Sequence, residues 1–199
     1  MNGHQVINPY LPNWEYVPDG EPYVFGDRVY VYGSHDFFGG DVYCMGDYVC
    51  WSAPVGDLGD WRYEGVIYRK DQDPRNADLQ GNLYAPDVAV GPDGRYYLYY
   101  VLSNRGTVSV AAADKPAGPY EFYGNVHYPD GTLLGEKEGD EPQFDPGVLR
   151  ERERARGDRC PGSAEASAEY LYPKEGYELT VDTGTGSVTE NALAVLAIL

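Results

Sequence analysis

The chain repeats a four-part unit, and that repetition limits its fold more than any other feature. The stretch "PDGEPYVFGDRVYVYGS", residues 18–34, corresponds to "APDVAVGPDGRYYLYYVLS", residues 85–103. Likewise "YVCWSAPVGDLGDWRYEG", residues 48–65, corresponds to "TVSVAAADKPAGPYEFYG", residues 107–124. Each unit holds four short runs rich in Val, Tyr, Phe and Trp, separated by Gly, Pro and Asp turn signals, which predicts strands joined as antiparallel meanders. In "RVYVYGS" the alternation places Val29 and Val31 on one face and Tyr30 and Tyr32 on the other. A third unit opens at "QFDPGVL", residues 143–149, and the pattern stops there.

A recurring four-stranded antiparallel unit is the pattern of a β-propeller, in which blades stand radially around a central channel. A two-sheet sandwich is the competing all-β arrangement for short, evenly spaced strands, but it gives no reason for whole units to resemble one another. The expected fold is all-β, about two and a half blades of a propeller. Residues 1–149 carry the blades and residues 150–199 form a divergent C-terminal segment.

The aspartates follow the repeat. Asp19, Asp87 and Asp145 each stand just before or at the start of a unit's first strand, in "PDGEPYVF", "APDVAV" and "FDPGVL". The first strand of a blade lies innermost, so its leading end opens at the channel mouth, and three blades would bring three distant carboxylates around one funnel. Aspartate beside Pro or Gly is also ordinary turn chemistry, bonding nearby backbone amides. A turn alone does not require the same register three times.

Bulk properties narrow the partner. The formal charge of -17 opposes binding to nucleic acid or to an anionic membrane, leaving neutral or cationic ligands. Twenty tyrosines suit both a half-exposed sheet and a sugar-binding surface. Cys44, Cys50 and Cys160 have no ligand-like spacing and read as reduced thiols. The N-terminus lacks a basic stretch followed by an apolar run, so the expected location is cytoplasmic.

Together, "NPYLPNWEYVPDGEP", "YVCWSAPVGDLGDWRYEG", "YAPDVAVGPDGRYYLYY" and "FDPGVL" resemble the family 43 glycoside hydrolases over residues 8–149. The resemblance implies a five-bladed propeller acting on arabinose- or xylose-containing saccharides by inversion. It makes Asp19 the general base and Asp145 the residue that orients the acid and raises its pKa. Inversion needs a base and a protonated acid roughly 6.5–9.5 Å apart with a water between them, and a further carboxylate keeps that acid protonated by like-charge repulsion. Asp87 is expected to bond substrate or to hold the funnel together, and His35, in "GSHDF", to bond a sugar hydroxyl or to be a loop histidine with no other role. His4 and His127 form no ligand set with His35, and Trp51 and Trp61 are expected to pack between blades rather than stack on sugar. The resemblance implies no nucleotide or redox cofactor; it admits a structural calcium, whose usual histidine lies late in the fold and is not assigned to a residue here.

From residue 150 the character changes: five of residues 150–159 are arginine. The plain reading is a charged extension; the sharper one is that the reading frame, or the gene, departs from its ancestor there. The family's general acid is a glutamate on a later blade. Glu165, in "SAEASA", follows Asp145 too closely to have passed through a blade, so no general acid is assigned. Activity is then expected to be weak, with a non-catalytic carbohydrate-binding or structural propeller fragment as the alternative, and open blade edges are expected to favour self-association.

Overall fold

The computed structural model describes residues 4–148, and within them eight strands form in two sheets. The first blade consists of β1 (Glu21–Phe25), β2 (Arg28–Tyr32), β3 (Tyr48–Pro54) and β4 (Arg62–Tyr68). The second consists of β5 (Asp87–Val90), β6 (Tyr96–Val101), β7 (Val108–Ala113) and β8 (Glu121–Asn125). Sheet order equals chain order in both, β1-β2-β3-β4 and β5-β6-β7-β8, with every neighbouring pair antiparallel. These are two successive meanders without a Greek-key crossover, as the repeat predicts for a partial propeller and a sandwich does not. The predicted strand runs are found at their expected places. Between β1 and β2 the chain reverses through Gly26 and Asp27, and Gly26 takes the left-handed φ of 64° that such a tight hairpin demands.

The alternation expected for β2 explains how the blades meet. Tyr30 and Tyr32, with Tyr48, Cys50 and Tyr68, face Leu98, Tyr100, Ala111, Ala113 and Tyr120 of the second blade in one continuous core. Five tyrosines, at 32, 48, 68, 100 and 120, are fully buried there. A buried phenol is tolerated only if its hydroxyl finds a partner. Tyr32 donates to the Pro116 carbonyl at 2.8 Å, Tyr120 to the same carbonyl at 3.0 Å, and Tyr48 to the Tyr84 carbonyl. Tyr68 and Tyr100 share a hydrogen bond of 2.7 Å. A large part of the tyrosine content that suits sugar binding is thus spent on the interface between blades.

The connection between the blades, legible in sequence only as a loop, winds into two 3-10 turns, Lys70–Gln72 and Pro74–Asn76. Asp73 sets the second turn: its side chain accepts from Arg75 N at 2.8 Å, and Pro74 occupies the first position, where no amide is needed. The same carboxylate is wholly buried and accepts from Tyr100 Oη at 2.8 Å and from Ser109 Oγ at 3.0 Å. Arg75 completes the cluster through Thr107 Oγ1 at 2.7 Å and Ser109 Oγ at 2.5 Å. One aspartate therefore links the crossover, the tyrosine core and β7.

Residues 143–148 form no strand. They are tied to the second blade by Gln143 N donating to the Gly106 carbonyl at 2.9 Å and by Val148 N donating to Asp87 Oδ2. Cys44 and Cys50 are buried free thiols, as expected. A cleft of about 720 Å³ on the far face of the second blade is lined by Tyr97, Tyr99, Val110 and Tyr123 and includes none of the three aspartates. The expectations for the C-terminal segment, Cys160 and Glu165 fall outside the described residues.

Removing a buried acceptor leaves its donors unpaired, at about 1–3 kcal/mol each. Asp73→Ala is therefore expected to lower unfolding free energy by about 2–4 kcal/mol in urea denaturation, whereas exposed Asp71→Ala changes it by less than about 0.5 kcal/mol.

Candidate functional site

Asp19 lies in the loop leading into β1, and Asp145 in the segment beyond the second blade; the fold brings the two together. The Asp145 carboxyl is raised above the usual range, first by burial and then by the negative charge of Asp19. Both carboxylates also act on Cys44. Burial pushes that thiol up and the charges of Asp36, Asp19 and Asp145 add to the effect, while a hydrogen bond from Ser34 opposes it. Two acids remote in sequence thus share one patch with Ser34 and Cys44.

The backbone sets the pair apart from the third aspartate. Asp19 has φ 54° and Asp145 has φ 45°, both in the left-handed region that an L-residue adopts at a cost, aspartate less reluctantly than most. Cys44, beside them, has φ 59°. Conformations of this kind persist where the surroundings over-determine them, and they cluster at functional sites. Asp87, the first residue of β5, is in ordinary extended backbone.

Four consecutive residues hold the Asp19 loop. Gly33 lies so close beneath it that a Cβ would stand 2.6 Å from the Pro18 carbonyl, so no larger residue fits without moving the loop. Ser34, wholly buried, donates from Oγ to Asp19 Oδ2 at 3.4 Å. Asp36 N donates to the Tyr16 carbonyl at 3.0 Å, and the Asp36 carboxylate accepts from Cys44 N at 2.5 Å. His35, between them, reaches Glu15 through Nε2 at 2.8 Å and the Asp47 carbonyl through Nδ1 at 3.1 Å.

Two residues expected at the substrate are engaged within the protein. Both ring nitrogens of His35 are engaged inside the protein, so neither is free for a sugar hydroxyl. Asp87 is 4 % exposed; Oδ1 accepts from Tyr23 Oη and from Val88 N at 2.7 Å, and Oδ2 accepts from Val148 N. It joins the first blade, the second blade and the segment carrying Asp145, the geometry of the funnel-holding alternative. Trp51 is buried against Trp14 and Tyr63 and donates from Nε1 to Glu15 Oε2 at 2.9 Å, while Trp61 packs on Tyr10, so both pack within the first blade and the N-terminal segment and not, as expected, between blades. His4 pairs with Asp57, and His127 reaches the Tyr128 carbonyl, both away from the aspartates.

Glu15, Ser34 and Cys44 were not picked out by sequence. Ser34 stands inside the quoted "GSHD", but nothing in "NWEY" marks Glu15 as buried, because the partners that accommodate it come from β3 and the loop after β2. Among the described residues no group of three or more His, Cys, Asp or Glu side chains is arranged to hold a metal ion. No residue here is therefore assigned to the calcium that the resemblance admits.

Because the Asp19 charge contributes to the raised Asp145 carboxyl, Asp19→Asn is expected to move the Asp145 titration downward, leaving the burial contribution. Carboxyl-carbon NMR across an acid titration reads the shift directly. The sign for stability also follows. A carboxyl raised on folding binds its proton more tightly in the native state, so ionised Asp145 opposes folding and the penalty lifts as pH falls through its raised value.

Comparison with known proteins adds three findings. A "Xylosidase/arabinosidase" of Thermoclostridium stercorarium is 69% identical over 150 residues, covering 75% of this chain and 32% of that protein. "Xylosidase/arabinosidase 43A" of Humicola insolens is 33% identical over 119 residues, covering 53% of this chain and 34% of its own length. In fold, the chain is similar to 1,3Gal43A, an exo-beta-1,3-galactanase from Clostridium thermocellum, with a TM-score of 0.53 at 18% identity over 69% of this chain and 30% of that one. Separately, residues 143–199 match the family model for a chloramphenicol phosphotransferase-like protein. The chain spans about a third of the length of the curated relatives it matches. Repeat, blade topology and similarity converge: this is a glycoside hydrolase family 43 xylosidase/arabinosidase-like chain, carrying part of that family's five-bladed β-propeller.

Proposed function

We propose that residues 8–148 form the base-carrying part of an inverting glycosidase acting on arabinofuranosyl or xylosyl linkages. Asp19 is the general base and Asp145 the carboxyl that tunes the acid. The observation that carries this reading is the convergence of two left-handed aspartates, one raising the other, in a chain 69% identical over 150 residues to a xylosidase/arabinosidase. Asp19, steadied by Ser34, takes the proton of the attacking water, and its charge holds Asp145 toward the protonated form. Among the described residues, Asp19 is the charge that raises Asp145. No described glutamate takes the acid's role.

A missing general acid has a chemical signature. Proton donation matters most for poor leaving groups and contributes typically a hundred- to ten-thousand-fold. Any turnover by this chain is expected on aryl arabinofuranosides or xylosides, whose phenolates leave unassisted, and to be at least about a hundredfold weaker on oligosaccharides. Asp19→Ala abolishes it. Saturable sugar binding without turnover in either substrate class would instead select the carbohydrate-binding reading.

The C-terminal segment has its own proposal. A shifted frame yields an arbitrary sequence with no reason to match a protein family, so the match, which overlaps the blade repeat at residues 143–149, supports an in-frame segment of separate ancestry after the repeat, a departure of the gene and not of the frame. Those residues contain no G-x-x-x-x-G-K-[ST] loop to cradle a phosphate, and no phosphoryl transfer is proposed for them. Self-association is proposed from Val24, Val66 and Tyr123, apolar sheet residues left exposed on the described blades. Sedimentation is expected to show species larger than a monomer.

A further inference from the structure

His35 faces an oxygen acceptor at each ring nitrogen. Nδ1 lies 3.1 Å from the carbonyl oxygen of Asp47, which can only accept. Nε2 lies 2.8 Å from Glu15 Oε1. A neutral imidazole has one donor and one lone pair, so either neutral tautomer would point a lone pair at an oxygen. Only a ring carrying both protons satisfies both contacts while Glu15 remains a carboxylate. That carboxylate is built into the fold: its side chain is 5 % exposed and Oε2 accepts from Trp51 Nε1 at 2.9 Å.

The ring is also closely framed. Phe37 meets it edge-on at 5.6 Å, and a Cβ on Gly46 would stand 2.5 Å from Nδ1. The neighbouring charged groups face elsewhere. The Asp36 carboxylate is turned to Cys44 N, the Asp47 carboxylate to Lys70 N at 2.9 Å, and Lys70 Nζ to the Met45 carbonyl. Glu15 is thus the anionic partner of His35 at hydrogen-bond distance.

We infer that His35, as a doubly protonated imidazolium bonded to Glu15 and Asp47, is the positioning residue that fastens the Asp19 loop to the first blade. Glu15 stands four residues before Asp19 on the same segment, and the backbone bond from Asp36 N to the Tyr16 carbonyl runs alongside. Without the imidazolium, the buried carboxylate would keep Trp51 Nε1 and, at 3.3 Å, the adjacent Tyr16 N as donors, and the segment would lose its side-chain tie to the loop after β2. This inference rests on the proposed role of Asp19 only for its catalytic meaning; the ring's protonation is testable without turnover.

The test uses the full chain with 15N-labelled histidine at neutral pH, the His35 signal being the one lost in His35→Gln. Two protonated-type ring nitrogens are expected, and a single neutral tautomer would overturn the inference. In Glu15→Gln the amide can donate to Nε2, so the ring is expected to become neutral with the proton on Nδ1 while the Asp145 titration stays as in the parent. In His35→Ala the upward shift of Asp145 caused by Asp19 is expected to shrink; an unchanged titration would overturn the positioning role. Should His35→Ala fail to fold, the parent spectrum and Glu15→Gln still decide. Absence of hydrolysis together with the imidazolium signature would count against the glycosidase reading and leave this one standing.

Discussion

The structure depends on a tyrosine-lined seam between two sheets. Burying five phenols removes a large apolar area from water, but each brings a hydroxyl that must be satisfied in a low-dielectric interior. Here the partners are backbone carbonyls at Tyr84 and Pro116, a neighbouring phenol and the buried Asp73. Tyr84, Pro116 and Asp73 lie outside the strands, so the seam fixes the connecting segments as well as the blades. A leucine core would give similar burial without specifying where the loops run.

The candidate site is downstream of that arrangement. Asp87 sits where the first blade, the second blade and residues 143–148 meet, and its two oxygens serve all three. By pinning Val148 it brings the neighbouring Asp145 back toward the loop that carries Asp19. Of the three aspartates at equivalent repeat positions, one therefore became structural and two remained exposed with left-handed backbones. Like-charge proximity between those two is useful chemistry and a mild structural liability, which suits a site that the surrounding seam holds in place.

Repetition made the fold legible. All eight strands were visible as runs of β-branched and aromatic residues between turn signals, because a two-residue period and turn chemistry are local properties. The crossover between blades was not visible: its 3-10 turns form around Asp73, whose partners Tyr100 and Ser109 lie on strands still to come in the chain. His35 was singled out by sequence as a loop histidine within reach of a sugar hydroxyl, and its nitrogens are engaged by Glu15 and the Asp47 carbonyl. The acceptor at Glu15 becomes its neighbour only once β2 turns back on the N-terminal segment.

The sequence by itself determined an all-β, blade-forming chain with acids placed at the start of each repeat, since strand period, turn residues and register are written in nearest neighbours. Only the tertiary structure decided which acids face each other, which is consumed as a staple, and which tyrosines are interior. Those outcomes depend on burial and on charge at a few ångströms between segments far apart along the chain. Neither quantity exists until the two sheets close on their shared core.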